Sequence, residues 1–202
     1  MSITIIGAGN IGGTLGQKWA LAGQTVTFGV RDPQAPKIQT RLAATNHLAT
    51  ATDPQTAVTN ADIILWAIPG TAMSATVADL APHLDHKIHI DATNNVNQPT
   101  MNNLDLLRQH APNASLYRAF SNLGWENFAE PTLDDTQIDL FFCGAEAEKT
   151  AVANLINLIG LRPIYIGDHD QAPLIDNLTR LWFALVWGQE YPRQLAFKLL
   201  GA

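Results

Sequence analysis

The chain has 202 residues, a formal net charge of −6 and 47% hydrophobic residues, which makes it too apolar for disorder and too acidic for non-specific hold on nucleic acid. Its single cysteine, Cys143, excludes an internal disulfide and fits a reducing compartment. The longest candidate apolar run, residues 181–187, falls far below the roughly 18 residues of a membrane span. The opening segment lacks the basic region of a secretory signal, so a cytoplasmic location is expected.

Ile3-Thr4-Ile5-Ile6 reads as a first strand. From residue 10 to 22 the apolar Ile11, Leu15 and Trp19 recur every fourth position, which predicts a helix ended by Gly23. A second strand is expected over residues 25–30, a weak helix over 38–44 and a short third strand over 48–52. Residues 61–68 form a strongly apolar fourth strand, the pattern of a strand buried on both faces, and Pro69 can open the helix after it. Further strands are expected at 87–92, 116–120, 140–143 and 163–166, with a helix over 146–159. Alternating apolar and amphipathic segments predict a doubly wound, mostly parallel sheet.

Near the end, Leu174, Leu178, Leu181 and Leu185 share one helical face, and Trp182, Phe183, Val186 and Trp187 make the helix apolar nearly all round. A core helix of the same domain, a subunit interface and a wall of a substrate pocket are all open readings. The expected fold is α/β: one Rossmann-type domain over residues 1–202 with C-terminal capping helices in an appendage over 172–202. A homodimer is expected.

The strongest motif is Gly7-Ala8-Gly9-Asn10-Ile11-Gly12, a G-x-G-x-x-G that follows a predicted strand and opens a predicted helix. Gly7 permits the tight turn, Gly9 lets backbone approach a pyrophosphate, and Gly12 lets helix and strand pack closely. The unpaired N–H groups of the helix start then face the phosphates. At the end of the second strand, where an NAD-binding unit carries an acid for the ribose 2′-hydroxyl, stands Val30, followed by Arg31. A guanidinium there pairs with a 2′-phosphate, which favours NADP(H). Asp32 is the alternative ribose ligand under a shifted alignment.

These segments resemble the NADPH-dependent coenzyme F420 reductase-like oxidoreductases. The likeness is carried by Ile3 through Gly13, by Gly29-Val30-Arg31-Asp32-Pro33, by Trp66-Ala67-Ile68-Pro69, by Asp91-Ala92-Thr93-Asn94-Asn95 and by Arg118-Ala119-Phe120-Ser121-Asn122. Phe142-Cys143-Gly144, Gly160-Leu161-Arg162-Pro163 and Ala196-Phe197-Lys198-Leu199-Leu200 also fit it. The segments at Asp91 to Asn95 and Tyr117 to Asn122 are similar to the cytosolic reductase domain of the STEAP metalloreductases as well. The resemblance implies that Arg31 holds the NADP phosphate and that Ala67, Ile68 and Pro69 lie beside the cofactor ribose and nicotinamide. It also implies hydride transfer between NADPH and a flavin or F420-like deazaflavin. Archaeal members carry larger residues and a histidine after the Ile-Pro pair, where this sequence has Gly70-Thr71-Ala72-Met73, so the acceptor stays open.

Hydride transfer between two rings needs orientation rather than an obligatory protein acid. Asn94 and Asn95 are candidates to hydrogen-bond the nicotinamide amide or the acceptor, or else they form a plain turn. An imine or carbonyl reductase like the pyrroline carboxylate reductases is the alternative enzyme, and a non-catalytic NADP(H) sensor the alternative of another class. His83, His86 and His89 have metal-like spacing but fall on a helix end, a loop and a strand, so no metal site is expected. Cys143 reads as a buried small hydrophobe.

Overall fold

The computed structural model describes residues 1–201. β1 (Ser2–Ile6), α1 (Asn10–Leu21) and β2 (Thr25–Gly29) form the first β-α-β unit. On α1 the buried residues Gly12, Leu15, Gly16, Trp19 and Ala20 follow helical spacing, so two glycines lie within the apolar face. They let the helix sit close to the sheet: a Cβ at Gly16 would fall 2.5 Å from the Phe28 ring. Trp19 is fully buried and donates its indole N–H to the Leu155 carbonyl at 2.9 Å. Its burial therefore leaves no unpaired polar atom.

The chain continues through α2 (Pro36–Ala44), β3 (Ala49–Thr52), α3 (Pro54–Thr59) and β4 (Ile63–Trp66). Asp53 starts α3 by accepting the Thr56 N–H at 2.9 Å, with Pro54 at the first helical position. After Pro69 a 3₁₀ turn, Gly70–Ala72, leads into α4 (Met73–Leu80). β5 (Ile88–Asp91), α5 (Leu104–His110) and β6 (Ser115–Arg118) follow. Then come α6 (Trp125–Ala129), a hairpin of β7 (Thr132–Leu133) and β8 (Thr136–Gln137), β9 (Asp139–Gly144), α7 (Lys149–Leu158), β10 (Arg162–Tyr165) and α8 (Ala172–Phe183). α8 runs on into one π turn, Ala184–Gly188.

The main sheet has the order β10-β9-β6-β5-β4-β1-β2-β3. All neighbours are parallel except β6 and β9, where Tyr117 faces Gly144 and Arg118 faces Cys143. Between β6 and β9 the chain forms α6 and the β7-β8 hairpin. β9 starts beyond the carboxyl end of β6 and runs back along it. The fold is Rossmann-like α/β, as expected. The switch in strand order lies between β1 and β4, and it opens the crevice outside their carboxyl ends.

The terminal helix turns its leucine face only partly inward. Leu174 and Leu181 are 55% and 48% exposed, and Trp187 is 60% exposed. The buried face is Ile175, Asp176, Thr179, Trp182 and Val186. A carboxylate and a hydroxyl on the inner face hid that face from a hydrophobicity pattern. Residues 189–201 hold no regular element and lie along α6 and the starts of β9 and β10. There Trp182 donates to the Leu195 carbonyl at 2.8 Å, and Asp139 accepts from Lys198 and from the Leu199 N–H.

Candidate functional site

Gly7 leaves β1 at φ +104°, and a Cβ there would lie 2.6 Å from the Ala67 carbonyl oxygen. This position needs glycine for both its conformation and its space. Gly12 has even less room, since its Cβ would fall 2.1 Å from the Gly7 oxygen. At Gly9 a Cβ would meet nothing within 4 Å. Gly7 and Gly12 are therefore fixed by the packing of the protein itself, while Gly9 faces open space where a ligand's backbone approach is possible.

Gly9 caps α1 without a side-chain hydrogen bond, and no acidic residue occupies the first turn. The first intrahelical bond runs from the Gly13 N–H to the Gly9 oxygen at 2.8 Å, so the N–H groups of Asn10, Ile11 and Gly12 precede it. Helix N–H groups and the dipole together favour an anion at this end. Arg41, on α2, lies across Gly13 and donates to the Gly9 carbonyl at 3.2 Å, adding a cation beside the turn.

A cleft of about 560 Å³ opens next to this turn, between the carboxyl ends of β1, β2 and β4. Ile6, Ile38, Pro54 and Ile68 give it apolar walls, and Arg31, Asp32 and Lys37 line it as well. Both cations are exposed. Asp32 turns back to accept the Gln34 N–H at 3.0 Å, which fits a loop-forming role more directly than a ribose contact. Gly7, Arg31, Ile68 and Pro69 all line this cleft. Ala67 backs the glycine turn, with its methyl carbon 3.1 Å from where a Gly12 Cβ would be. Apolar walls for a base, cations for a 2′-phosphate and an open helix start for a pyrophosphate fit an NADP(H) molecule.

Asn94 and Asn95 lie outside this cleft, on the loop after β5. Asn94 accepts from Arg118 at 2.7 Å and donates to the Ser121 carbonyl at 3.2 Å. Asn95 donates to Asn103 at 3.1 Å, and its oxygen lies 2.2 Å from where a Cβ on Gly70 would be. Beneath them sits a buried ionic cluster. Arg118 is fully buried and meets Asp176 at 2.9 Å and Asp91 at 3.6 Å. Asp91 also accepts from the Thr93 N–H at 2.9 Å and hydroxyl at 2.6 Å, and from the Asn103 N–H at 2.6 Å. Asp176 holds the Met101 and Asn102 N–H groups at 3.1 Å each.

At the end of β6, Phe120 is buried at φ +60°, a conformation that costs a non-glycine residue energy. Directly after it, the Ser121 hydroxyl and the Asn122 side-chain oxygen are buried without a hydrogen-bond partner. The Phe120 ring itself packs edge-on against Trp19 and Phe128 in the core. Spacing from the glycine motif drew attention to Arg31 but not to Lys37 and Arg41, whose signal is a pair of cations four residues apart on α2, the helix that follows Arg31. It also passed over Arg118, whose signal is a cation inside an apolar strand.

The remaining candidates have structural roles. His89 is fully buried, accepts from the Trp66 indole at 3.1 Å and hydrogen-bonds the Leu84 carbonyl at 2.7 Å. Burial lowers its pKa to about 4, so it is a neutral, satisfied core group. His83 bonds Gln55 and Thr59, and His86 pairs with Asp85 on the surface, so the three rings do not converge. Burial pushes the Cys143 thiol up to about 12, which leaves it unreactive. A second cleft, of about 510 Å³, opens near Met1, Gln24 and Leu158, and no acidic, basic or histidine side chain lines it.

The fold is Rossmann-like α/β, with the glycine turn after its first strand. Residues 2–95 match the model of the family described as NADP oxidoreductase, coenzyme F420-dependent, so the resemblance holds over those residues. Among solved structures, an Arthrobacter sp. FB24 protein bearing the provisional name F420-dependent NADP reductase superposes with a TM-score of 0.85 at 22% identity, covering 100% of both chains. An imine reductase from Aspergillus terreus, in complex with NADPH4 and dibenz[c,e]azepine, gives 0.72 at 17% identity over 94% of this chain and 62% of its own. One from Myxococcus stipitatus in complex with NADP+ gives 0.68 at 17% identity over 94% of this chain and 64% of its own. These likenesses are likenesses of fold. The chain spans less than two thirds of those two imine reductases. No helix among the described residues is long and apolar enough to cross a membrane.

Proposed function

We propose that this chain is an NADP(H)-dependent oxidoreductase that exchanges hydride with a flavin or F420-like acceptor. The observation that carries the cofactor is the pairing of two exposed cations, Arg31 and Lys37, in the cleft that adjoins the open start of α1. The bound nicotinamide supplies the hydride. The N–H groups of Asn10, Ile11 and Gly12 bind its pyrophosphate, while Arg31 and Lys37 hold the 2′-phosphate. Ala67, Ile68 and Pro69 form the wall along which the molecule crosses from β2 towards β5.

Thr93, Asn94, Asn95, Ser121 and Asn122 stand at the carboxyl ends of β5 and β6. These side chains bind and orient, and none of them exchanges a proton near neutral pH. That favours an acceptor ring that carries its own proton chemistry over an imine, which needs a donor placed by the protein. The imine reading keeps the support of its shared fold. The test is NADPH oxidation, followed by absorbance, with F420, FMN and a cyclic imine offered in turn. Turnover with F420 or FMN is expected. Turnover with the imine alone would replace the acceptor, and binding without any turnover would favour a sensor.

A further inference from the structure

Arg118 has five N–H donors and no acceptor, and each of its three nitrogens donates at least one hydrogen bond. Nε donates to Asp176 at 2.9 Å, and Nη2 reaches Asp176 at 2.9 Å and Asn94 at 2.7 Å. Nη1 donates to the Thr93 carbonyl at 2.5 Å and the Asp91 carbonyl at 3.2 Å. The Asn94 atom that faces a group made only of donors must be its oxygen. Its amide nitrogen is thereby turned to the other side, where one N–H meets the Ser121 carbonyl at 3.2 Å and one hydrogen is left over. Asn94 is half-buried, whereas the guanidinium behind it is fully buried and clamped between two carboxylates.

We propose that Arg118 is a positioning residue which, through Asn94, makes the β5 edge present an N–H donor, and that this donor recognises the carboxamide oxygen of the nicotinamide. The inference rests on the NADP(H) reading above. β2 and β5 are three strand spacings apart, about 14 Å, so a nucleotide held at β2 by its 2′-phosphate and at the glycine turn by its pyrophosphate carries its other half towards Asn94. A lysine at 118 keeps the charge but has only three donors on a flexible stem, too few to serve Asp176, the Asp91 and Thr93 carbonyls and Asn94 at once.

The experiment compares NADPH with 2′,5′-ADP, which carries the adenosine bisphosphate half alone, by calorimetric titration of wild type, Asn94→Ala, Asn94→Asp, Arg118→Lys and the Arg118→Lys/Asn94→Ala pair. Asn94→Asp replaces the donor with an acceptor while leaving an oxygen for Arg118, so it tests the donor even where Arg118→Lys does not fold. Each single variant is expected to weaken NADPH roughly five- to tenfold and to leave 2′,5′-ADP within twofold. The pair is expected to be no weaker than the worse of its singles, because both changes act on one hydrogen bond. A ratio of NADPH to 2′,5′-ADP affinity that stays at the wild-type value in Asn94→Ala and Asn94→Asp overturns the inference, as does a fully additive pair. Wild type that binds neither compound overturns the NADP(H) reading itself.

Discussion

The two halves of the sheet's carboxyl edge hold their charges in opposite ways. Around β1 and β2, Arg31 and Lys37 stand in water beside an open cleft and an uncapped helix start. Around β5 and β6, Arg118, Asp91 and Asp176 are buried and matched to one another and to backbone groups. A charge left in solvent is available to a charged ligand, and its strength is screened by salt. A charge taken out of solvent must be matched by the chain, and it then fixes geometry instead of attracting ligands. One half binds by attraction, and the other orients by constraint.

Breaking the buried half has the largest expected effect. Arg118→Met leaves two carboxylates buried without their cation, which should lower stability by about 3–5 kcal/mol, read as a shifted midpoint in urea unfolding. A loss under about 1 kcal/mol would mean that the cluster is solvated and constrains nothing.

Acid tests a second buried group in that same half. His89 has its pKa lowered from 6.5 to about 4 by burial, so below pH 6.5 the unfolded chain binds a proton that the folded chain refuses. Stability should therefore be unaffected by His89 above pH 6.5 and fall by roughly 3 kcal/mol on going down to pH 4. In His89→Gln that part of the pH dependence should vanish, since an amide can still accept from Trp66 and donate to the Leu84 carbonyl. Parallel acid profiles for the two proteins would contradict the buried neutral histidine.

Changes in the open half should leave folding alone and alter binding. Arg31→Ala is expected to weaken NADPH by ten- to hundredfold, the loss of a charge-assisted contact, with NADH unchanged. Equal losses for both nucleotides would remove the 2′-phosphate role. Lys37→Ala is expected to follow the same selectivity with a smaller loss, roughly fivefold, and raised salt should shrink both effects. Salt-independent affinities would contradict binding by exposed charge.

The same contrast explains what was legible in the sequence. The glycine turn and Arg31 lie within one β-α-β unit, so short-range spacing revealed them. The Arg118 cluster joins residues 58 positions apart in β6 and α8, and no local pattern links them. α3, α5 and α6 were not expected, because five to seven residues are too few for a helical period to show; the Asp53-Pro54 start of α3 was the one local sign. The reversal of β9 is a matter of chain path rather than of residue preference. On α8 Leu174 and Leu181 point outward because Asp176 and Thr179 occupy the inner face, where they anchor the cluster and bond within the helix.

The central claim is that the open half selects NADP(H), and a parallel fluorescence titration of the wild-type chain with NADPH and NADH tests it most directly. Saturable binding of NADPH, at least tenfold tighter than NADH, is the predicted result. Equal affinity for the two, or binding of neither, would contradict it.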